Sequence, residues 1–245
     1  MIPITRVPLS PALQSRLDAK TTSLRAYRGA RRKLEARASW RNSGGTRSAL
    51  TRRLRNMAQG REACMYCSDG EGASVDHYRP IDSAPMKTWV WDNHILACSI
   101  CNSHNKRESF PLSSAREPLF LDPTKDDPFE HLLLSPSTGK YAGITERGRF
   151  TAETLLNRDL IERGRRAAWL DALDHVRAYG DSFAAGDSEG CVQRQFRLTQ
   201  RPNLDAFYSM LKYASSPSAA LVLPSDVLHV IARHRDAFLA WLGLE

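Results

Sequence analysis

Apolar residues near the start of the chain recur at helical spacing. Leu13, Leu17, Leu24, Tyr27, Leu34 and Ala38 fall on one face. The positions that would complete a three-four seam hold Lys20 and Arg31, so the pattern predicts one long basic amphipathic helix with a broken stripe. Ser10-Pro11 opens it as a capping hydroxyl followed by proline at the first helical position. Asn42-Ser43-Gly44-Gly45 closes it. A second basic helix over 46–59 turns Leu50, Leu54 and Met57 inward. Such a stripe can pack on its own core, cross DNA or dock a partner.

Beyond it, residues 64–108 alternate short apolar pieces with turn residues, the pattern of a small ββα unit. Pro111 to Pro128 is proline-rich and irregular. HLLLSPSTGKYAGI reads as a hairpin around a Ser-Thr-Gly turn. From Thr151 the pattern is helical, with Leu160, Ile161, Trp169, Leu173 and Val176 on one face. Further helices are expected around 203–214 and 225–242, the last capped by Ser225-Asp226. The expected class is α+β, mostly helical around a central module. Three segments follow: a basic helical arm (1–62), a core with its hairpin (63–150) and a helical C-terminal region (151–245).

Charge sharpens this division. The net charge is +8, and it is uneven. Residues 1–62 carry 15 Lys/Arg against 3 Asp/Glu, while the remainder is net negative. A basic arm of this kind is a footprint for a polyanion, or a solvated helix surface. No apolar run is long enough for a membrane span, and MIPITRVPLSP lacks the apolar core of a signal peptide. A cytoplasmic protein with no membrane partner is expected.

Four of the five cysteines form two CxxC pairs, Cys64-Met-Tyr-Cys67 and Cys98-Ser-Ile-Cys101. Each CxxC turn offers two thiolates with the bite that a tetrahedral zinc ion requires, and two turns complete the set. A redox CxxC needs no second pair. Structural Zn²⁺ on Cys64, Cys67, Cys98 and Cys101 is the expectation, and Cys191 is left as a free thiol.

Between the pairs lies VDHYRP, a short strand ended by Pro80. Asp76 and His77 are adjacent, so a strand points them to opposite sides. That suits one residue gripping a cation and its neighbour activating water. WVWDNHIL then places Asn93 just before an apolar strand, nine residues ahead of Asn102. Trp89 and Trp91 read as core. His94 reads as structural and facing away from the site, and His104 as a weaker metal ligand.

CMYC, VDHYRP, WDNHILACSICN and the following Lys106 resemble an HNH endonuclease of the ββα-metal type with a four-cysteine zinc clip. The resemblance implies that His77 is the general base and that Asn93 holds the loop that orients it. It makes Asp76 and Asn102 the ligands of the catalytic metal. Asn102 stands where the family name has its third letter, histidine. Two hard oxygen donors then suit Mg²⁺ or Mn²⁺. Lys106, one helical turn on, is placed to touch phosphate, and Arg79 either touches phosphate or pairs with a local acid.

A wider likeness lies in MIPITR, ESFPL, LFLDPTKDDPFEHL and TLLNRDLIERGRR. These resemble the HNH subunits of Septu-type anti-phage systems, relatives of which accompany some retrons. In that family the nuclease works with an ABC-type ATPase and degrades DNA, which implies a bacterial defence nuclease here. Two alternatives stay open: a standalone HNH nuclease of restriction or mobile-element type, and a zinc-containing nucleic-acid-binding protein without catalysis.

Overall fold

The computed structural model describes residues 1–58 and 62–244. Gln59, the expected end of the second basic helix, lies outside the described residues, as do Gly60 and Arg61 of the basic arm and Glu245 of the C-terminal region. The chain is α+β, with many helices and two separate two-stranded antiparallel sheets among the described residues. It forms two compact units, Arg6–Met65 with Gly70–Asp122, and Met1–Thr5 with Tyr66–Asp69 and Pro123–Glu245.

The first unit opens with helix α1, Pro11–Arg25, where Ser10 Oγ accepts the Leu13 N–H at 3.4 Å. The single long helix expected here is in fact two. Gly29 adopts φ +50°, and α2, Gly29–Arg41, starts there. Glycine takes this left-handed conformation without the penalty a side chain imposes. The break is sealed by Arg32, whose Nε donates to the carbonyls of Leu24 (3.1 Å) and Tyr27 (2.6 Å). The Leu24 carbonyl, at the end of α1, also accepts the Tyr27 N–H at 3.3 Å, and Tyr27 lies just beyond the helix. Because the phase changes at the break, Leu17, Leu24 and Ala36 are buried while Leu34 is exposed. Helix α3, Gly44–Met57, buries Leu50, Leu54 and Met57 as its spacing requires.

Strands β1, Ser74–His77, and β2, His94–Ala97, pair antiparallel with Asp76 opposite Ile95 and His77 opposite His94. A π-wound helix, Ile100–Lys106, follows. Trp89, Ile95 and Leu96 join Leu17, Leu50 and Leu54 in this core.

In the second unit the expected hairpin is β3, Leu132–Leu134, paired with β4, Tyr141–Gly143. Helix α4, Glu146–Thr151, is capped by Thr145 Oγ1, which accepts the Gly148 N–H at 3.0 Å. Then come α5 (Asp159–Ala184), α6 (Ser188–Thr199), α7 (Leu204–Ala214), α8 (Ala219–Val222) and α9 (Ser225–Trp241). On α5, Ile161, Trp169 and Val176 are buried, but Leu160 points to solvent. Pro224, not Ser225, occupies the cap position of α9. Arg165 and Asp205 form a fully buried ion pair at 3.0 Å, to which Tyr141 donates its hydroxyl at 3.0 Å. Among the described residues no helix is long and apolar enough to cross a membrane.

Candidate active site

Asp76 and His77 end strand β1, and although alternation predicts opposite sides, one cleft receives both. Asp76 and His77 are both buried, and both line an open cleft of about 350 Å³ together with Asn102. Asp76 Oδ1 accepts from Lys106 Nζ at 3.1 Å, and the same ammonium donates to the His77 carbonyl at 2.8 Å. Lys106 is therefore an internal counter-charge with no exposed surface. Its expected reach to a phosphate at the surface is not the arrangement found. The reason is the π winding, which bonds the Arg107 N–H to the Asn102 carbonyl at 2.7 Å and turns Lys106 under β1.

His77 Nε2 lies 3.1 Å from the Thr88 carbonyl. A carbonyl oxygen only accepts, so Nε2 carries the proton and Nδ1 is left with its lone pair. Burial lowers the pKa of His77 to about 4, and Lys106 adds to the fall while Asp76 and the Thr88 carbonyl oppose it. The ring is thus neutral at pH 7, as a proton acceptor must be.

Asn93 staples the intervening loop. Its Oδ1 accepts the Arg79 N–H at 2.8 Å, and its Nδ2 donates to the carbonyls of Arg79 (3.0 Å) and Lys87 (3.1 Å). All three partners are backbone groups at the two ends of the segment that delivers Thr88. Asn102 Nδ2 donates to Ser74 Oγ at 3.0 Å, which leaves the amide oxygen as its donor atom for a cation. With an Asp76 carboxylate oxygen this makes a pair of hard donors, a set that fits Mg²⁺ or Mn²⁺ with water completing the shell. The Arg79 guanidinium stacks over Phe110 at 5.1 Å.

The thiols of Cys64, Cys67, Cys98 and Cys101 are all buried, with their sulfurs within 4.8 Å of one another. Four thiols at that separation fit a tetrahedral zinc ion. The Cys101 N–H points at Cys98 Sγ at 3.4 Å, a bond that favours a charged sulfur. Gly70 lets the two knuckles close, since a Cβ there would stand 3.1 Å from Cys98 Cβ.

Residues 64–108 match the family model described as HNH endonuclease. This segment is an HNH domain. The chain is also 28% identical to the Septu protein PtuB of Bacillus mycoides (strain KBAB4), over 32% of this chain and 36% of that relative. The match thus spans about a third of the relative's length. No solved structure matches the chain.

Around the HNH domain the structure adds residues that spacing did not reveal. His94 does not face away: its Nε2 shares the Thr88 carbonyl at 2.9 Å, and its ring centroid lies 5.2 Å from that of His77. The β1–β2 register brings the two histidines opposite, and only the register shows it. Trp40 of α2 sets its ring edgewise to His77, centroid to centroid 4.3 Å, and packs on Trp89 at 4.8 Å. Trp89 and Trp91 are core, as expected, and His104 is exposed.

Proposed function

We propose that the chain is a metal-dependent DNA endonuclease, acting in bacterial defence beside an ATPase subunit. The observation that supports this reading most is the convergence of Asp76, His77 and Asn102 on one cleft, with Asn93 bracing the loop behind them. Asp76 and Asn102 hold the cation. When bound, Mg²⁺ or Mn²⁺ supplies positive charge to the phosphodiester and to the departing 3′ oxygen. His77 Nδ1 takes the proton of the attacking water, and the Thr88 carbonyl holds the Nε2 proton in place throughout. Asn93 fixes Thr88, so it positions the base without touching substrate. Zinc on the four cysteines has a structural part only.

The defence role and the ATPase follow from the resemblance to Septu-type subunits and from the likeness to PtuB. The deciding experiment is plasmid cleavage with Mg²⁺ by the native chain and by His77→Ala, with and without chelator and with and without the neighbouring ATPase. Cutting that needs both His77 and the metal supports the reading. A folded, zinc-loaded chain that binds DNA and never cuts, even with the ATPase, would make it a binding protein instead. Cutting without the ATPase would assign the partner to regulation.

A further inference from the structure

Outside its reacting residues, the cleft is dominated by arginine. Arg37, Arg41 and Arg47 come from α2 and α3, and Arg107 comes from the end of the π-wound helix. Their states differ. Arg37 is neutralised by Asp82 at 2.5 Å and by Glu108 at 3.5 Å. Among the described residues no carboxylate pairs with Arg41, Arg47 or Arg107. The acids of the cleft are already answered, Asp76 by Lys106 and Glu108 by Arg37. The cleft therefore presents three uncompensated guanidiniums beside the candidate cation site.

Arg47 is also held in place. Its Nη2 donates to the Arg41 carbonyl at 3.4 Å, its guanidinium lies 6.0 Å from the Trp40 ring, and its Nε is buried with no partner. The same residue lines a second depression of about 480 Å³ that runs along α3 past Arg52. Arg52 is exposed and likewise has no acid partner among the described residues, whereas Arg55 beside it is paired with Glu62 and Glu71. Unpaired charge thus runs as a track from the cleft along α3.

We propose that Arg41, Arg47, Arg52 and Arg107 form the phosphate-binding wall for duplex DNA, so that α2 and α3, outside the HNH segment, hold the substrate backbone over Asp76, His77 and Asn102. This rests on the nuclease reading above. Guanidiniums suit the purpose because they bind phosphate through paired N–H donors and stay charged. They carry no base readout here, so the wall sets affinity and register and not sequence preference.

The test separates binding from cutting. A fluorescein-labelled duplex is titrated by anisotropy over a salt series with His77→Ala protein, alone and combined with Arg41→Ala/Arg47→Ala. Zinc content and circular dichroism confirm that each variant is folded, and the milder Arg41→Gln and Arg47→Gln serve if the alanine pair is not. The pair is expected to raise Kd by at least about tenfold. The log–log salt slope should fall by about two, one for each lost phosphate contact. Arg163→Ala on exposed α5 surface should change neither. Unchanged Kd and slope, absent duplex binding, or binding confined to RNA would each overturn the wall. Those results are distinct from failure of the nuclease reading, which would appear as His77→Ala cutting as fast as the native chain.

Discussion

Removing the Asn93 side chain tests how far the candidate base depends on a residue that never meets substrate. Asn93→Ala deletes three bonds of 2.8, 3.0 and 3.1 Å and takes their side-chain partner from the Arg79 N–H and the Arg79 carbonyl, while the Lys87 carbonyl keeps the Val90 N–H at 3.2 Å. The site is nearly dry, Asn93 being 3% exposed. At about 1 kcal/mol for each net bond, with part of the desolvation cost added, the loss comes to about 2–4 kcal/mol. The two ends of the 79–87 segment then separate. Thr88, whose carbonyl accepts the His77 Nε2–H at 3.1 Å, keeps its bonds to Pro85 but loses the tie through Lys87 to Asn93. A shift of about 1 Å at the base should lower the cleavage rate by about a hundredfold. Urea unfolding of the zinc-loaded protein reads the first effect, single-turnover cleavage the second, and hydrogen exchange at the Arg79 amide reports the local opening directly. Asn93→Asp keeps the bond from Arg79 but sets a carboxylate against two carbonyl oxygens, so it should be no milder. A variant within about 0.5 kcal/mol of the native protein, with Arg79 still protected, would refute the reasoning.

Other consequences are equally open to measurement. Cys98→Ser should remove one zinc equivalent in metal analysis and unfold the HNH domain, since a structural zinc site contributes on the order of 10 kcal/mol; a folded, zinc-free variant would count against a structural ion. Burial, and then His77, holds the His94 pKa well below its ordinary value. The unfolded chain therefore takes up this proton first, so stability is complete above the ordinary histidine pKa of about 6.5 and is lost as pH falls below it. His94→Phe should flatten the acid limb of a stability–pH curve, and an unaltered limb would show that another group sets it. Arg165→Met takes one cation from the buried Asp205, which keeps the Met1 ammonium at 2.6 Å and the Tyr141 hydroxyl at 3.0 Å, and should cost about 1.5–3 kcal/mol, read as a lowered thermal midpoint.

The parts of this molecule that were legible in its sequence are those fixed by short spacing. The two CxxC pairs, the hairpin and the buried face of α3 depend on neighbours within a few residues. The break at Gly29 carried a signal, a glycine inside an apolar stripe, but its meaning came from a positive φ that composition does not encode. Lys106 was misplaced because the sequence predicts helical neighbours at ordinary α spacing, and the π winding rotates the last turn. His94 and Trp40 depend on strand register and on a contact between residues 37 positions apart, which no local pattern carries.

The Asp76–Lys106 pair gives the two proposed metal sites opposite histories within the life of one chain. Four buried thiols lie with their sulfurs within 4.8 Å of one another, so on the proposed reading the cysteine cluster recruits its ion while the domain is forming. Asp76 is charge-balanced from within, and the fold can be completed and stored with no divalent ion beside it. On the nuclease reading proposed above, zinc then belongs to biosynthesis and magnesium to the moment of use, and the chain waits fully folded with its reactive centre unprimed.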